Sequence, residues 1–157
     1  MNLTPFLRYF QKEKENILSI LAIDYGKKRI GLAVTSTFIP TALKSIVVEN
    51  TEKVFLDISD VIKENEVTEV VVGLPLNMDN TESLMTEETR KFAAEIEKRF
   101  KLKTTMVNEQ LTSKEAEEKL AITEKNWKKR KNKIDSVAAC IILESFLKQK
   151  NNEEKQT

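Results

Sequence analysis

The sequence predicts an α/β fold: one five-stranded mixed sheet, a three-strand antiparallel meander plus parallel strands, with helices on both faces. Three observations predict it. β-prone runs come early and close together, parted only by a glycine-containing turn and a proline. Later runs alternate with segments of helical periodicity, as β-α-β units do. The first run is nearly continuous in apolar residues, which fits a strand covered on both faces.

Taken in order, residues 3–10 set Leu3, Phe6, Leu7 and Phe10 at helical spacing, with Thr4 as cap and Pro5 at the first helical position. ILSILAID (17–24) is the first strand, and Gly26 with Lys27 and Lys28 turns the chain into RIGLAVTS (29–36). Pro40 precedes a third strand, TALKSIVVE (41–49). Val54, Phe55, Ile58, Val61 and Ile62 then share one helical face. EVVVGLP (69–75) is a fourth strand, followed by the polar loop LNMDNTES and a helix that turns Met85, Phe92, Ala93, Ile96 and Phe100 inward. TTMVNE (104–109) is the fifth. Thr112 and Glu115 form a Thr-x-x-Glu box that opens a further helix, and a strongly apolar helix runs from about Asn132 to Leu147. The reading is a single domain over 17–148, with an amphipathic extension at 1–16 and a frayed tail at 149–157, where no core-forming residue remains.

Composition narrows the chemistry. With 40% hydrophobic and 32% charged residues, the chain is an ordinary globular one. It has no apolar run of the ~18 residues that span a bilayer, and its opening lacks the pattern of a signal peptide, so a cytoplasmic location is expected. A single cysteine, Cys140, excludes an internal disulfide and a cysteine-rich zinc site; in its apolar helical run it reads as a packed thiol. There is no histidine, which removes Ser-His-Asp and Cys-His catalysis and His-ligated zinc together. Carboxylate oxygens remain, and they suit hard ions such as Mg²⁺ or Mn²⁺. The formal charge is only +1, yet KNWKKRKNK (125–133) holds six of the 26 basic residues, so the rest of the chain is net acidic.

Three carboxylates stand where stability alone does not ask for them. Asp24 ends the most buried strand, just before a turn. Glu109 ends the fifth strand, just before the cap at Thr112. Asp135 lies in the first turn of the last helix, between Ile142 and Phe146 at ~100° per residue, within the sector that also holds Ile134, Ala138 and Ile141. A carboxylate on that face is costly unless paired or bound to a cation. Blander roles fit each residue as well: a turn aspartate, an exposed strand end, a partner for the helix dipole. If the first and fifth strands lie near each other under the last helix, the three converge, and divalent cations are needed to offset their repulsion. Such a cluster suits two-metal phosphodiester hydrolysis, in which one ion activates a water and the other, ~4 Å away, stabilises the leaving oxygen.

AIDYGKKRIGLAV (22–34), GLPLNMDNTES (73–83), NEQLTSKEA (108–116) and KIDSVAACIILESFL (133–147) resemble the four motif blocks of the YqgF (RuvX) family. The likeness runs from about residue 18 to 148, in matching order and spacing. It implies an RNase H-like fold and a nuclease of pre-16S rRNA or a Holliday-junction resolvase. It also implies that Asp24, Glu109 and Asp135 are the acidic triad that holds Mg²⁺ or Mn²⁺. The sequence departs from the family pattern at Asn108-Glu109-Gln110, where Asp-Glu-Arg is usual, and at Asn80, where glycine is usual; residues before Ile17 are outside it. An Asp-x-Gly turn alone is shared with actin-like ATPases and sugar kinases, but this chain is too short for their two lobes.

Candidate nucleic-acid contacts are the basic run, with Trp127 to stack on an unpaired base and Lys128, Lys129, Arg130 and Lys131 to meet phosphates. Lys27, Lys28 and Arg29 in the first turn and Asn77 in the GLPLNMD loop join them. The run reads as a phosphate-binding loop or as a solvated connection; Lys27, Lys28 and Arg29 as phosphate ligands or a solvated turn; and Asn77 as a contact or as the cap of its own turn. The expected partner is pre-rRNA or branched DNA, with no membrane, and the protein a monomer or weak homodimer. The alternative is a non-catalytic nucleic-acid- or ribosome-binding module that keeps the fold.

Overall fold

A computed structural model describes residues 2, 4–5, 18–37, 39–108 and 127–156, the side chains of 127–135 excepted. Strands β1 (Ile20–Asp24), β2 (Arg29–Thr35) and β3 (Thr41–Val47) are followed by helix α1 (Thr51–Glu64), β4 (Glu69–Leu74), helix α2 (Leu84–Phe100), β5 (Lys103–Asn108) and helix α3 (Trp127–Gln156). The five strands form one sheet in the order β3-β2-β1-β4-β5. β1–β2 and β2–β3 are antiparallel, while β1–β4 and β4–β5 are parallel. This is the mixed sheet the sequence predicts. Thr4 and Pro5 are helical. The rest of the amphipathic segment at 3–10, Glu109 and the helix expected to open at Thr112 lie outside the described residues.

The sheet separates two cores because strand side chains alternate between faces. Leu21 and Ile23 of β1, Leu32 of β2 and Val70 and Val72 of β4 point to one face, where α1 supplies Val54, Phe55 and Ile58 and α2 supplies Phe92, Ala93 and Ile96. Ile20 and Ala22, with Ala33, Val71 and Val107, point to the other, where α3 lays down Ala139, Ile142, Leu143 and Phe146. Half-buried Cys140 packs against this second layer. Central β1 and β4 are thus covered twice, which explains their unbroken apolar runs. On the edge strand β3 only Ile46 is buried.

Helices α1 and α2 start on side-chain caps. Asn50 Oδ1 accepts the Lys53 backbone N–H at 2.9 Å and opens α1. Ser83 and Thr86 form a reciprocal capping box at the start of α2, and the Thr86 hydroxyl also donates to the carbonyl of Pro75. Arg99 near the end of α2 holds Glu52 of α1 through both guanidinium arms and lies 4.1 Å from the Phe55 ring centroid.

The last helix differs from expectation at both ends. Residues 127–131 were expected in a basic connection, but they already belong to α3. Lysine and arginine are good helix formers and the run holds no glycine or proline, so nothing breaks it. At the other end α3 continues through Gln156, past the predicted stop near Leu147. Lys150 explains part of this, since its Nζ lies 3.2 Å from Oε2 of buried Glu69 at the start of β4. Among the described residues no helix is long and apolar enough to cross a membrane.

Replacing Ser83 with alanine removes one side of the capping box. The expected loss is ~1 kcal/mol, measured as a lower urea midpoint with an unchanged slope.

Candidate active site

Parallel strands β1, β4 and β5 all end at one edge of the sheet, and Asp24 sits there as the last residue of β1, half-buried. Alternation along β1 puts it on the same face as Ile20 and Ala22, beneath α3. Its neighbours across the sheet carry no side chain. On β2 it pairs with Gly31. On β4 the ladder pairs Ile23 with Val72, so the next residues on the two strands are Asp24 and Gly73. Gly73 in turn pairs with Val107 of β5, which faces α3 as well. Asp24 is therefore flanked on both sides by glycine. The third glycine of the chain closes the turn after it: a Cβ on Gly26 would run into the Arg29 carbonyl oxygen. All three glycines serve this one corner.

Helix α3 crosses this face in the direction opposite to β1. Near its start the Ser136 hydroxyl donates to the Leu43 carbonyl of β3 at 2.7 Å. Near its end Lys150 reaches Glu69, whose strand partner on β1 is Ile20. The helix thus runs from the ridge of β3, level with the Asp24 end of β1, to the far end of β4. Asp135 precedes Ser136 in α3; its side chain, like those of Trp127, Lys128, Lys129, Arg130 and Lys131, lies outside the described residues. Glu109 follows Asn108, the last residue of β5. β1 and β5 are not neighbours, since β4 lies between them, about 10 Å apart at two strand spacings. Among the described residues no three metal-ligating side chains cluster, and of the three expected carboxylates only that of Asp24 is described.

The expected nucleic-acid contacts divide. Exposed Lys27 places its Nζ 3.4 Å from half-buried Glu88 of α2. Lys28 is exposed, and its backbone carbonyl accepts the Val48 N–H at 2.9 Å. Arg29, by alternation, shares the α3 face with Gly31 and lines an open groove beside β3. Asn77 donates from Nδ2 to the Thr81 hydroxyl at 2.9 Å, within its own turn. That loop is closed by further bonds: Asp79 accepts from both the backbone N–H and the hydroxyl of Thr81, which holds its carboxyl below the ordinary aspartate range. Asn80 takes the left-handed conformation that favours glycine or asparagine, at φ 65°.

Two features went unread in the sequence. Register shifts between Ile30 and Leu32, so that Lys44 and Ser45 of β3 oppose Gly31 alone, a β-bulge one strand away from Asp24's partner. Ser136 ties α3 to β3 at the same level. The signal for the bulge was present, because an isolated glycine inside a strand pattern marks a bulge or a close approach.

The sequence profile described as "RuvX: Holliday junction resolvase" matches residues 18–149. The chain belongs to the RuvX family. Two relatives carry the name "Putative pre-16S rRNA nuclease". The one from Koribacter versatilis is 39% identical over 139 residues, covering 87% of this chain and 91% of that protein. The one from Alcanivorax borkumensis is 42% identical over 129 residues, covering 81% and 93%. Among solved structures, RuvC of T. thermophilus in complex with a Holliday junction substrate superposes with a TM-score of 0.53. It is 14% identical and covers 84% of this chain and 95% of that one. At that identity the likeness speaks for the fold, so this RuvX chain has a RuvC-like sheet and helices.

Two outcomes are expected at this corner. Gly26→Ala forces a methyl group against the Arg29 carbonyl and should cost about 1–3 kcal/mol, read from chemical denaturation. Because the Asp79 pKa is depressed in the folded loop, its contribution is present at neutral pH and lost as pH falls through that lowered value. Carbon-detected NMR titration should find the Asp79 midpoint below the ordinary value, and Thr81→Val should move it upward.

Proposed function

We propose that this RuvX protein is a metal-dependent endonuclease that hydrolyses phosphodiester bonds in structured nucleic acid. The favoured substrate is the 5′ end of pre-16S rRNA, in line with the names its relatives carry, with branched DNA as the second candidate. One observation carries the reading: Asp24 is a half-buried carboxylate at the C-terminal end of the central strand β1, flanked by Gly31 and Gly73 and on the sheet face covered by the helix that bears Asp135.

The donor set fits a hard cation. Carboxylates are the strong ligands on offer in a chain without histidine, and the strand neighbours of Asp24 on both sides are glycines, which add no side chain of their own beside it. Asp24, Glu109 and Asp135 are the residues that would hold Mg²⁺ or Mn²⁺. When bound, such ions supply a water acidic enough to attack phosphorus and a countercharge for the leaving oxygen. The protein's own part is positional. β1, pinned between β2 and β4, fixes Asp24 on a rigid strand end, and α3 is anchored across it at Ser136 and Lys150. The basic first turns of α3 would draw a polyanion toward that edge.

A non-catalytic binding module remains the second reading, favoured by Asn108 and Gln110 on either side of Glu109. Incubation with a pre-rRNA leader fragment and a four-way junction, in Mg²⁺, Mn²⁺ or EDTA, separates the two. Cutting should require the divalent ion and fall at least ~100-fold in Asp24→Asn. Cutting that persists in that variant overturns the assignment. Calorimetric Mn²⁺ binding that disappears in Asp135→Asn counts against the binding module.

A further inference from the structure

An open groove of ≈ 660 Å³ lies between the edge strand β3 and the N-terminal half of α3, floored by Ala42, Leu43, Lys44 and Ser45, with Arg29 beside them and Ser136 and Val137 on its wall. That size falls in the range of built ligand sites, about 300–1,000 Å³. Of the described residues that line it, Arg29 and Lys44 are charged, and both are cations. The groove is also set in register with the candidate active site. The bulge that holds exposed Lys44 and half-buried Ser45 lies opposite Gly31, and Gly31 is the strand partner of Asp24. Two strand spacings separate the bulge from Asp24, about 10 Å, which is about three stacked nucleotides at ~3.4 Å of axial rise each.

A strand edge invites an added peptide strand, but this one is built against it. The bulge interrupts regular pairing, Lys44 places a charge on the edge, and the Leu43 carbonyl already accepts from Ser136. The trough is otherwise apolar, lined by Ala42, Leu43, Val47 and Val137, and the cations and hydroxyl set around it suit a phosphodiester backbone with its sugars instead.

Resting on the nuclease reading above, we propose that this groove is a backbone-binding subsite for the nucleic-acid strand. Lys44 and Arg29 neutralise phosphates there and the Ser45 hydroxyl donates to a phosphate oxygen, about three nucleotides from the bond held at Asp24. Nothing in it depends on base identity, so the subsite orients the strand and leaves sequence unread.

Fluorescence anisotropy in EDTA, where no cutting occurs, tests it with two probes: an RNA stem-loop with a single-stranded flank and a DNA four-way junction. Affinity is followed from 50 to 200 mM KCl. Lys44→Gln should make the slope of log affinity against log salt shallower by about 0.7–0.9, one phosphate contact. Ser45→Glu should weaken binding, and Lys44→Arg should restore the wild-type slope. Lys98→Gln, an exposed change on α2 across the sheet, should leave it unaltered. A slope that changes with one probe only supports the subsite and names its nucleic acid. A wild-type slope in Lys44→Gln with both probes, or an equal loss in Lys98→Gln, overturns it. Cutting that depends on Asp24 while Lys44→Gln keeps its slope sinks the subsite alone. A lost slope without cutting in any metal sinks the nuclease reading alone.

Discussion

The pairing of β1 with β2 on one side and β4 on the other is the constraint from which the rest of the molecule follows. β1 is buried on both faces, so its position is fixed by packing from two helical layers and by backbone bonds to two strands. A carboxylate at the end of such a strand has little freedom to relax away from an unfavourable setting. Desolvation of that charge is tolerable only where solvent, a hydrogen-bond donor or a cation reaches it. The glycines on both sides add no side chain next to it. They also cost the two neighbouring strands some intrinsic stability, which the doubly covered core offsets.

Helix α3 covers the sheet face on which Asp24 lies. Its central apolar residues bind it to the sheet, but these contacts are broad and would tolerate some sliding. Two polar ties define its axial position: the Ser136 hydroxyl on Leu43 and the Lys150 ammonium on Glu69. The second tie neutralises a carboxylate that is otherwise buried, with Lys103 a further 3.8 Å away. Because the ties lie toward opposite ends of the packed stretch, the register of Asp135 over the sheet is set from both directions.

Much of the fold was legible because hydrophobic periodicity decides it. The unbroken ILAID and EVVVGL runs read as central strands, and the 3.6-residue spacing of Val54, Phe55 and Ile58 read as a helix face. The extent of α3 was not legible. A dense basic run looks like a solvated connection in sequence, but repulsion between lysines in water is weaker than their shared preference for helix. Nor was the long-range tie from Lys150 to Glu69 visible, since the two are far apart in the chain and neither is unusual locally. At the site, Asp24 was marked by its place at a strand end. The two glycines beside it became meaningful only once the strand order was known; Gly31 inside its strand signalled a bulge, but that Lys44 and Ser45 stand opposite it needed the register of two strands together.

The mixed direction of the sheet also shapes how the chain reaches its native state. Asp24 and Gly31 are seven residues apart, so the meander β1-β2-β3 closes over short loops at little entropic cost. Ile23 and Val72 are 49 apart, and their parallel pairing must wait for α1 to bridge the span. One wall beside Asp24 is therefore a product of local chain geometry, while the opposite wall is a long-range contact that forms against a larger search. Partial unfolding of the parallel half would open this corner while the hairpin that carries Asp24 stayed intact.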